Sequence, residues 1–440
     1  MRRLFVLSFV ILLSGCATYG DPVNEPLTDN KPASSRYSYA SSVERYNSGD
    51  AMVVVSISGG GTRASAFSYG VMKALKEQPL VKKGQTVSVL EEVDKISSVS
   101  GGSFTAAYYG LYGDRLFSDF EQDFLYDDVS NSLFWRLMNP GLWFSTSGIT
   151  QEAVAYYERE LFKGATFSDI DQNNRPLIVI NASDLGGGVR FSFIQEYFDL
   201  LCSDISSYPI SQAVAASSSV PVLFNPIVLE NHQGCRNNNM LQFTDPDKLN
   251  MVTASTVKGL QKYSDKSNNQ YIHLVDGGIT DNLGLLSLYD MMAIRGGQVS
   301  FFNQINARVM PFVVFISIDA STDSVTRIGQ STKEPSIADT LKHMSSIQIH
   351  RYNDITKNLM KESLNNKSAY TLSDGEPVKA YFIDINLQNV EDKDLKYYLN
   401  NIPTDLNLEA EQVESLIAEG RSQTLNHPEF KRFINEMEAW

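Results

Sequence analysis

Between residues 50 and 330 the chain repeats one pattern. A short strand-like run comes first, then a stretch in which apolar side chains recur every three or four positions. Runs at 52–57, 176–180, 271–275 and 313–318 have the length and composition of buried strands, and 95–99 is a further candidate strand. Helical spacing follows the first two, over 64–76 and around 104–111. The alternation predicts an α/β fold, with a central, mostly parallel sheet and helices on both faces. Past residue 331 the pattern reads as a helix, one strand at 379–385 and two more helices. This part is assigned to a C-terminal helical extension, 331–440, packed on the domain formed by 50–330.

The N-terminus reads differently. Arg2 and Arg3 precede an apolar run over 4–13 broken only by Ser8, too short to span a bilayer and flanked like a secretory signal. It ends in Leu13-Ser14-Gly15-Cys16, which resembles the bacterial lipobox. That resemblance implies cleavage of a 1–15 signal peptide and acylation of Cys16, and several acyl chains hold a protein firmly to a membrane. Ala17 in place of Asp after the cysteine points to the outer membrane, facing the periplasm or the cell surface. Residues 16–49, rich in Ser, Asn, Pro and Tyr with no apolar period, are expected to form the lipidated N-terminus and a flexible tether.

Composition changes the picture in two respects. The 440-residue chain carries a formal net charge of −14, which argues against a nucleic-acid partner and against electrostatic attraction to anionic lipid. Beyond Cys16 only Cys202 and Cys235 remain, and export to an oxidising compartment permits a disulfide between them.

Three short motifs carry candidate chemistry. Gly59-Gly60-Gly61-Thr62-Arg63-Ala64 follows a strand and opens a helix, where glycines admit a ligand and unpaired N–H groups face negative charge. Gly59-x-Gly61-x-x-Ala64 also fits a dinucleotide fingerprint, but the nearest strand-end acid, Glu91, lies 30 positions beyond Gly61. Ser98-Val99-Ser100-Gly101-Gly102-Ser103 again joins strand to helix. A nucleophile elbow needs small residues two before and two after its serine, and Ser98 and Gly102 fill those places around Ser100. Val275-Asp276-Gly277-Gly278 puts a carboxylate at a strand end, where an aspartate is also common for turn-forming reasons alone.

Taken together and in this order, the three motifs resemble the patatin-like phospholipases, and the first is similar in form to that of the animal cytosolic phospholipases. The stretch at 213–226 looks like the block these families place before the Asp-Gly-Gly motif. The resemblance covers roughly 52–285. It implies a patatin-like α/β fold and a Ser100–Asp276 dyad in which the carboxylate activates the serine without a histidine. It also implies an oxyanion hole from Gly60 and Gly61, with Gly59 beside them, and an Arg63 that adds positive charge or holds the loop. A Ser-Asp-His triad remains open in sequence order, because His343, His350 and His427 all follow Asp276. The first two fall on a helical pattern and the third precedes Pro428, positions that suit structural or surface roles.

The resemblance implies hydrolysis of membrane phospholipid or lysophospholipid acyl esters, with no metal and no cofactor. An acyltransferase using the same serine and a non-catalytic lipid-binding envelope lipoprotein are the alternative readings. Aromatics at Phe124, Tyr126, Phe134, Trp135, Trp143 and Phe144 suit either a core or an acyl groove.

Overall fold

The structure, a computed structural model, describes residues 20–28, 36–46, 50–82, 84–127, 149–172, 176–221, 223–235, 244–294, 310–323, 332, 334–365 and 376–440. The 1–15 signal segment, Cys16, Phe134, Trp135, Trp143 and Phe144 lie outside them. The described strands are β1 (Glu25–Pro26), β2 (Ala51–Ile57), β3 (Pro79–Lys82), β4 (Gln85–Ser88), β5 (Val93–Val99), β6 (Leu177–Asp184), β7 (Val189–Ser192), β8 (Ser203–Asp204), β9 (Ile227–Glu230), β10 (Tyr271–Val275), β11 (Phe312–Asp319) and β12 (Lys379–Asn386). The helices that matter below are α1 (Tyr39–Tyr46), α2 (Thr62–Glu77), α3 (Gly101–Tyr112), α4 (Ile210–Ser217), α5 (Leu286–Ile294), α6 (Ile337–Asn365), α7 (Ala410–Asn426) and α8 (Pro428–Glu438).

The main sheet runs β12-β11-β2-β5-β6-β10-β9, with β7 also on β6. The pairs from β12 to β6 are parallel, as the buried apolar runs predict, while β10, β9 and β7 pair antiparallel. Helices cover both faces. On one, Gly110 of α3 meets Ile178, and Phe433 of α8 stacks edge-on against Phe312 and Tyr381. On the other, Ser287 of α5 bonds Ser97, and Lys357 of α6 bridges Asp319 and Asp384. Phe124 is fully buried and stacks on Phe104 at 4.4 Å, so it is core, whereas Tyr126 is exposed.

Two domain expectations need correction. The C-terminal part is no appendage: β12 pairs along its whole length with β11 as the edge of the main sheet. Moreover, α7 crosses α2 so closely that a Cβ on Gly70 would lie 2.2 Å from Ile417 O, and one on Gly420 would lie 2.3 Å from Phe67 O. Nor are the described residues of 16–49 a free tether. The Asn24 amide donates to Ser203 Oγ (3.1 Å) and Glu230 O (2.9 Å) and accepts from Glu230 N (2.8 Å), while β1 pairs with β8. The Tyr37 hydroxyl donates to Ile178 O and accepts from Ile178 N, satisfying both backbone groups of a buried β6 residue. These contacts use amides and phenols on open strand edges, so they leave no apolar period in the sequence. Cys202 and Cys235 are disulfide-bonded and tie the turn before β8 to the segment after β9.

The crossing of α2 and α7 gives the first prediction. A side chain at Gly420 must push two helix backbones apart, and overpacking of this kind costs about 1–3 kcal/mol. Urea denaturation of Gly420→Val should show that loss, and an unchanged midpoint would mean the contact is loose.

Candidate active site

β5 ends at Val99 and α3 begins at Gly101; the residue between them, Ser100, has φ +49°. A non-glycine residue there is strained and persists only because a strand and a helix fix its two ends. Its N–H donates to Ser217 Oγ (2.8 Å), whose own hydroxyl donates to Asn181 O (2.6 Å). Ser98 is buried in β5, and Gly102 sits against Ile57 and Ser58. Gly101 has no alternative: a Cβ there would lie 2.0 Å from Gly61 O, so the elbow and the glycine loop are in backbone contact.

Asp276 arrives from β10, which is antiparallel to β6 rather than another parallel strand. Its N–H donates to Ser219 O (2.9 Å), and the neighbouring Gly277 N–H donates to Ser217 O (3.0 Å). The Ser100 hydroxyl donates to Asp276 Oδ2 at 2.7 Å, and Oδ1 accepts from Gly278 N, also at 2.7 Å. Loss of hydration pushes the Asp276 carboxyl up to about 6, against the pull of those two hydrogen bonds. A carboxylate so placed is a stronger base than one in water and is still ionised near neutral pH.

The glycine loop leaves Ser58 and enters α2. Gly59 N–H is taken by Asn282 O (3.0 Å) and Thr62 N–H by Asp405 O (2.8 Å). The N–H groups of Gly60 and Gly61 have no partner among the described residues, and both glycines have positive φ, +143° and +61°. Of the three glycines, Gly60 and Gly61 therefore have donors to offer, and Gly59 does not. Arg63 is buried; its Nε donates to Ala320 O (2.9 Å) and its Nη1 to Ile402 O (2.8 Å). It holds the loop, and burial pushes its guanidinium down to about 10.

All five histidines are described, and none bonds to Ser100 or Asp276. His350 Nε2 faces Thr322 O (3.0 Å), His232 Nε2 faces Asn24 O (2.9 Å), and His427 Nδ1 accepts from Glu429 N as a helix cap. His273 points outward from β10, and His343 is half-buried on α6. Among the described residues no group of three His, Cys, Asp or Glu is placed to hold a metal ion.

The family model of patatin-like phospholipases matches residues 55–289, from β2 through the serine elbow and past Asp276. The chain belongs to that family. Among solved structures it is similar to the human GIVD cytosolic phospholipase A2, with 12% identity and a TM-score of 0.44 over 92% of this chain and 66% of that one. It is also similar to VipD from Legionella pneumophila, with 12% identity and a TM-score of 0.31 over 98% of this chain and 73% of that one. No curated protein matches the chain.

Several residues that build the site of this patatin-like phospholipase have no motif of their own. Ser217 and Ser219 lie inside the 213–226 block, which pointed to the family but not to their contacts. Asn282 caps the glycine loop through its carbonyl, and its side-chain amide donates to Ser321 Oγ (3.1 Å). Ile402 and Asp405 act through backbone oxygens, which any residue could supply.

The carboxyl environment predicts a pH profile. Because the folded Asp276 pKa lies near 6, acid protonates the group that accepts the Ser100 hydrogen bond, so if that group is the base, ester turnover should fall as pH drops through about 6. Asp276→Asn should be as inactive as Ser100→Ala, yet no less stable, since it removes a desolvated charge. Alanine at each histidine in turn should leave substantial activity. A folded His350 or His427 variant as dead as Ser100→Ala, assayed on a fluorogenic ester, would overturn the two-residue arrangement.

Proposed function

We propose that this protein hydrolyses acyl esters of membrane phospholipid or lysophospholipid, with Ser100 as nucleophile and Asp276 as its base. The observation that carries the reading is the 2.7 Å hydrogen bond from Ser100 Oγ to Asp276 Oδ2 beside two unpartnered loop donors. As Oγ attacks the ester carbonyl, its proton passes to Oδ2 and a new C–O bond forms. The carbonyl oxygen takes the negative charge, and the Gly60 and Gly61 N–H groups are the donors at hand to hold it. Collapse expels the alcohol part of the lipid, which leaves with the proton from Asp276, and the acyl group stays on Ser100. Water activated by the same carboxylate then releases the fatty acid. No step calls on a metal or cofactor.

The test is mass spectrometry of lipid extracts incubated with wild type and Ser100→Ala. Free fatty acid should rise, with matching loss of a phospholipid or lysophospholipid class, in the wild-type sample alone. Unchanged extracts would sink the assignment.

In this reading the protein is an envelope lipoprotein, processed before Cys16 and held in the outer membrane by acyl chains on that residue. Among the described residues no helix is long and apolar enough to cross a membrane. Cells fed labelled fatty acid should incorporate it into the wild-type protein and not into Cys16→Ser. Equal labelling of both would rule out this anchor.

A further inference from the structure

We propose that the exposed aliphatic side chains Val220, Leu223 and Ile279 form the face by which the domain rests on the bilayer carrying its own lipid anchor. The inference rests on the Cys16 reading above and adds to it an orientation.

The course of the N-terminal segment comes first. Asn24 is bonded to Glu230 at one end of β9, and Gly20 lies against the Val228 side chain two residues back along that strand. Followed toward its start, the chain therefore runs along β9 toward Ile227 and the loop that precedes it. Four chain steps separate Gly20 from Cys16. Each residue spans at most ~3.6 Å, so whatever its path, the acylated cysteine stays within about 14 Å of Gly20. A tether of thirty-odd residues would have let the domain turn freely; one of four does not.

That same loop borders the dyad. Ser219 O accepts the Asp276 N–H, and the next residue, Val220, is 39% exposed. Leu223 further along is 62% exposed, and Ile279, whose own N–H turns back to Asp276 O (3.4 Å), is 53% exposed. Single exposed aliphatics are ordinary on a protein surface. Here three of them lie on the two segments whose backbone is hydrogen-bonded to that of Asp276, one of which leads into β9 and the point where the anchor must emerge, and exposed aliphatics gathered in that way suit an interaction surface. A net charge of −14 gives no electrostatic pull toward anionic lipid, so apolar insertion is the attraction left. The result sets the mouth of the Ser100–Asp276 site at the height of the ester bonds it is read to cleave.

The experiment uses the full acylated chain reconstituted in vesicles of phosphatidylethanolamine and phosphatidylglycerol with brominated acyl chains. Tryptophan is placed at the proposed face in Leu223→Trp, and at an exposed control position in Val81→Trp. Val81 lies on β3, which leads through the Gln78–Val89 contact to the start of β5, the end opposite Ser100. The added emission from Leu223→Trp should be quenched and that from Val81→Trp should not. In parallel, Leu223→Glu should lower hydrolysis of vesicle phospholipid roughly tenfold, because a charge resists entering the apolar layer, and leave turnover of a water-soluble short-chain ester unchanged. An acylated protein with unquenched Trp at 223, as when a protein partner covers the loop, overturns the face. Equal quenching at both positions does so too. Absence of acyl chains from the N-terminal peptide overturns the anchor reading and this orientation with it. A wild type that is quenched at 223 but inert on every ester would fault only the hydrolase reading.

Discussion

Two helices, α2 and α3, begin in backbone contact, and the geometry of the site follows from that contact. The 2.0 Å between Gly61 O and the place where a Cβ on Gly101 would stand leaves room for no side chain. With the two N-termini so close, the free N–H groups of the glycine loop and the serine of the elbow must share one small volume. Such a meeting of positive helix ends repels unless something holds them and something negative lies between them. Holding falls to Arg63, to Asp405 O on Thr62, and to Asn282 O on Gly59. The negative group nearby is Asp276, and in the proposed reaction the second is the oxyanion.

That constraint explains which parts of the molecule were legible in the sequence. The serine elbow, the glycine loop and the Asp-Gly-Gly turn are local: each needs particular small residues at fixed spacing, so each leaves a mark. The strands at 176–180 and 313–318 were equally visible, because burial on both faces favours short, mostly apolar runs, whereas β10 keeps Tyr271 and His273 on an exposed face. What could not be read was the work done by backbone oxygens and edge contacts. Ile402 and Asp405 hold the loop from a segment that looked like an extension, and nothing about a carbonyl shows in side-chain identity. Asn24 and Tyr37 dock what looked like a tether by polar contacts at strand edges. Antiparallel β10 also escaped the pattern, since an apolar run does not encode its direction.

Two aspartates near the ends of sheet strands show how environment divides labour among identical groups. Burial pushes the Asp319 carboxyl up, but Lys357 at 2.9 Å and Ser321 more than reverse this and hold it below its ordinary value. Lys357 also reaches Asp384 at 3.0 Å, so this ion pair pins α6 to β11 and β12. Asp276 is desolvated without any cation in contact, and its pKa rises to about 6. The first carboxylate is committed to structure because its charge is already compensated. The second keeps its appetite for a proton, and the group that can supply one is the Ser100 hydroxyl at 2.7 Å.

For the proposed reaction, the same reasoning extends to an acyl chain that covers the site. Asp276 retains some solvent contact in the free protein. A lipid tail laid across Ser100 removes that water, and further desolvation raises the carboxyl pKa again. The base is then strongest once substrate is seated, and weaker while the site is open to water and serine activation would serve no reaction. A histidine base would respond in the opposite sense, because burial disfavours its protonated form and lowers its pKa. In the proposed reaction, a carboxylate acting directly on serine therefore suits a site whose substrate is itself the agent that excludes water.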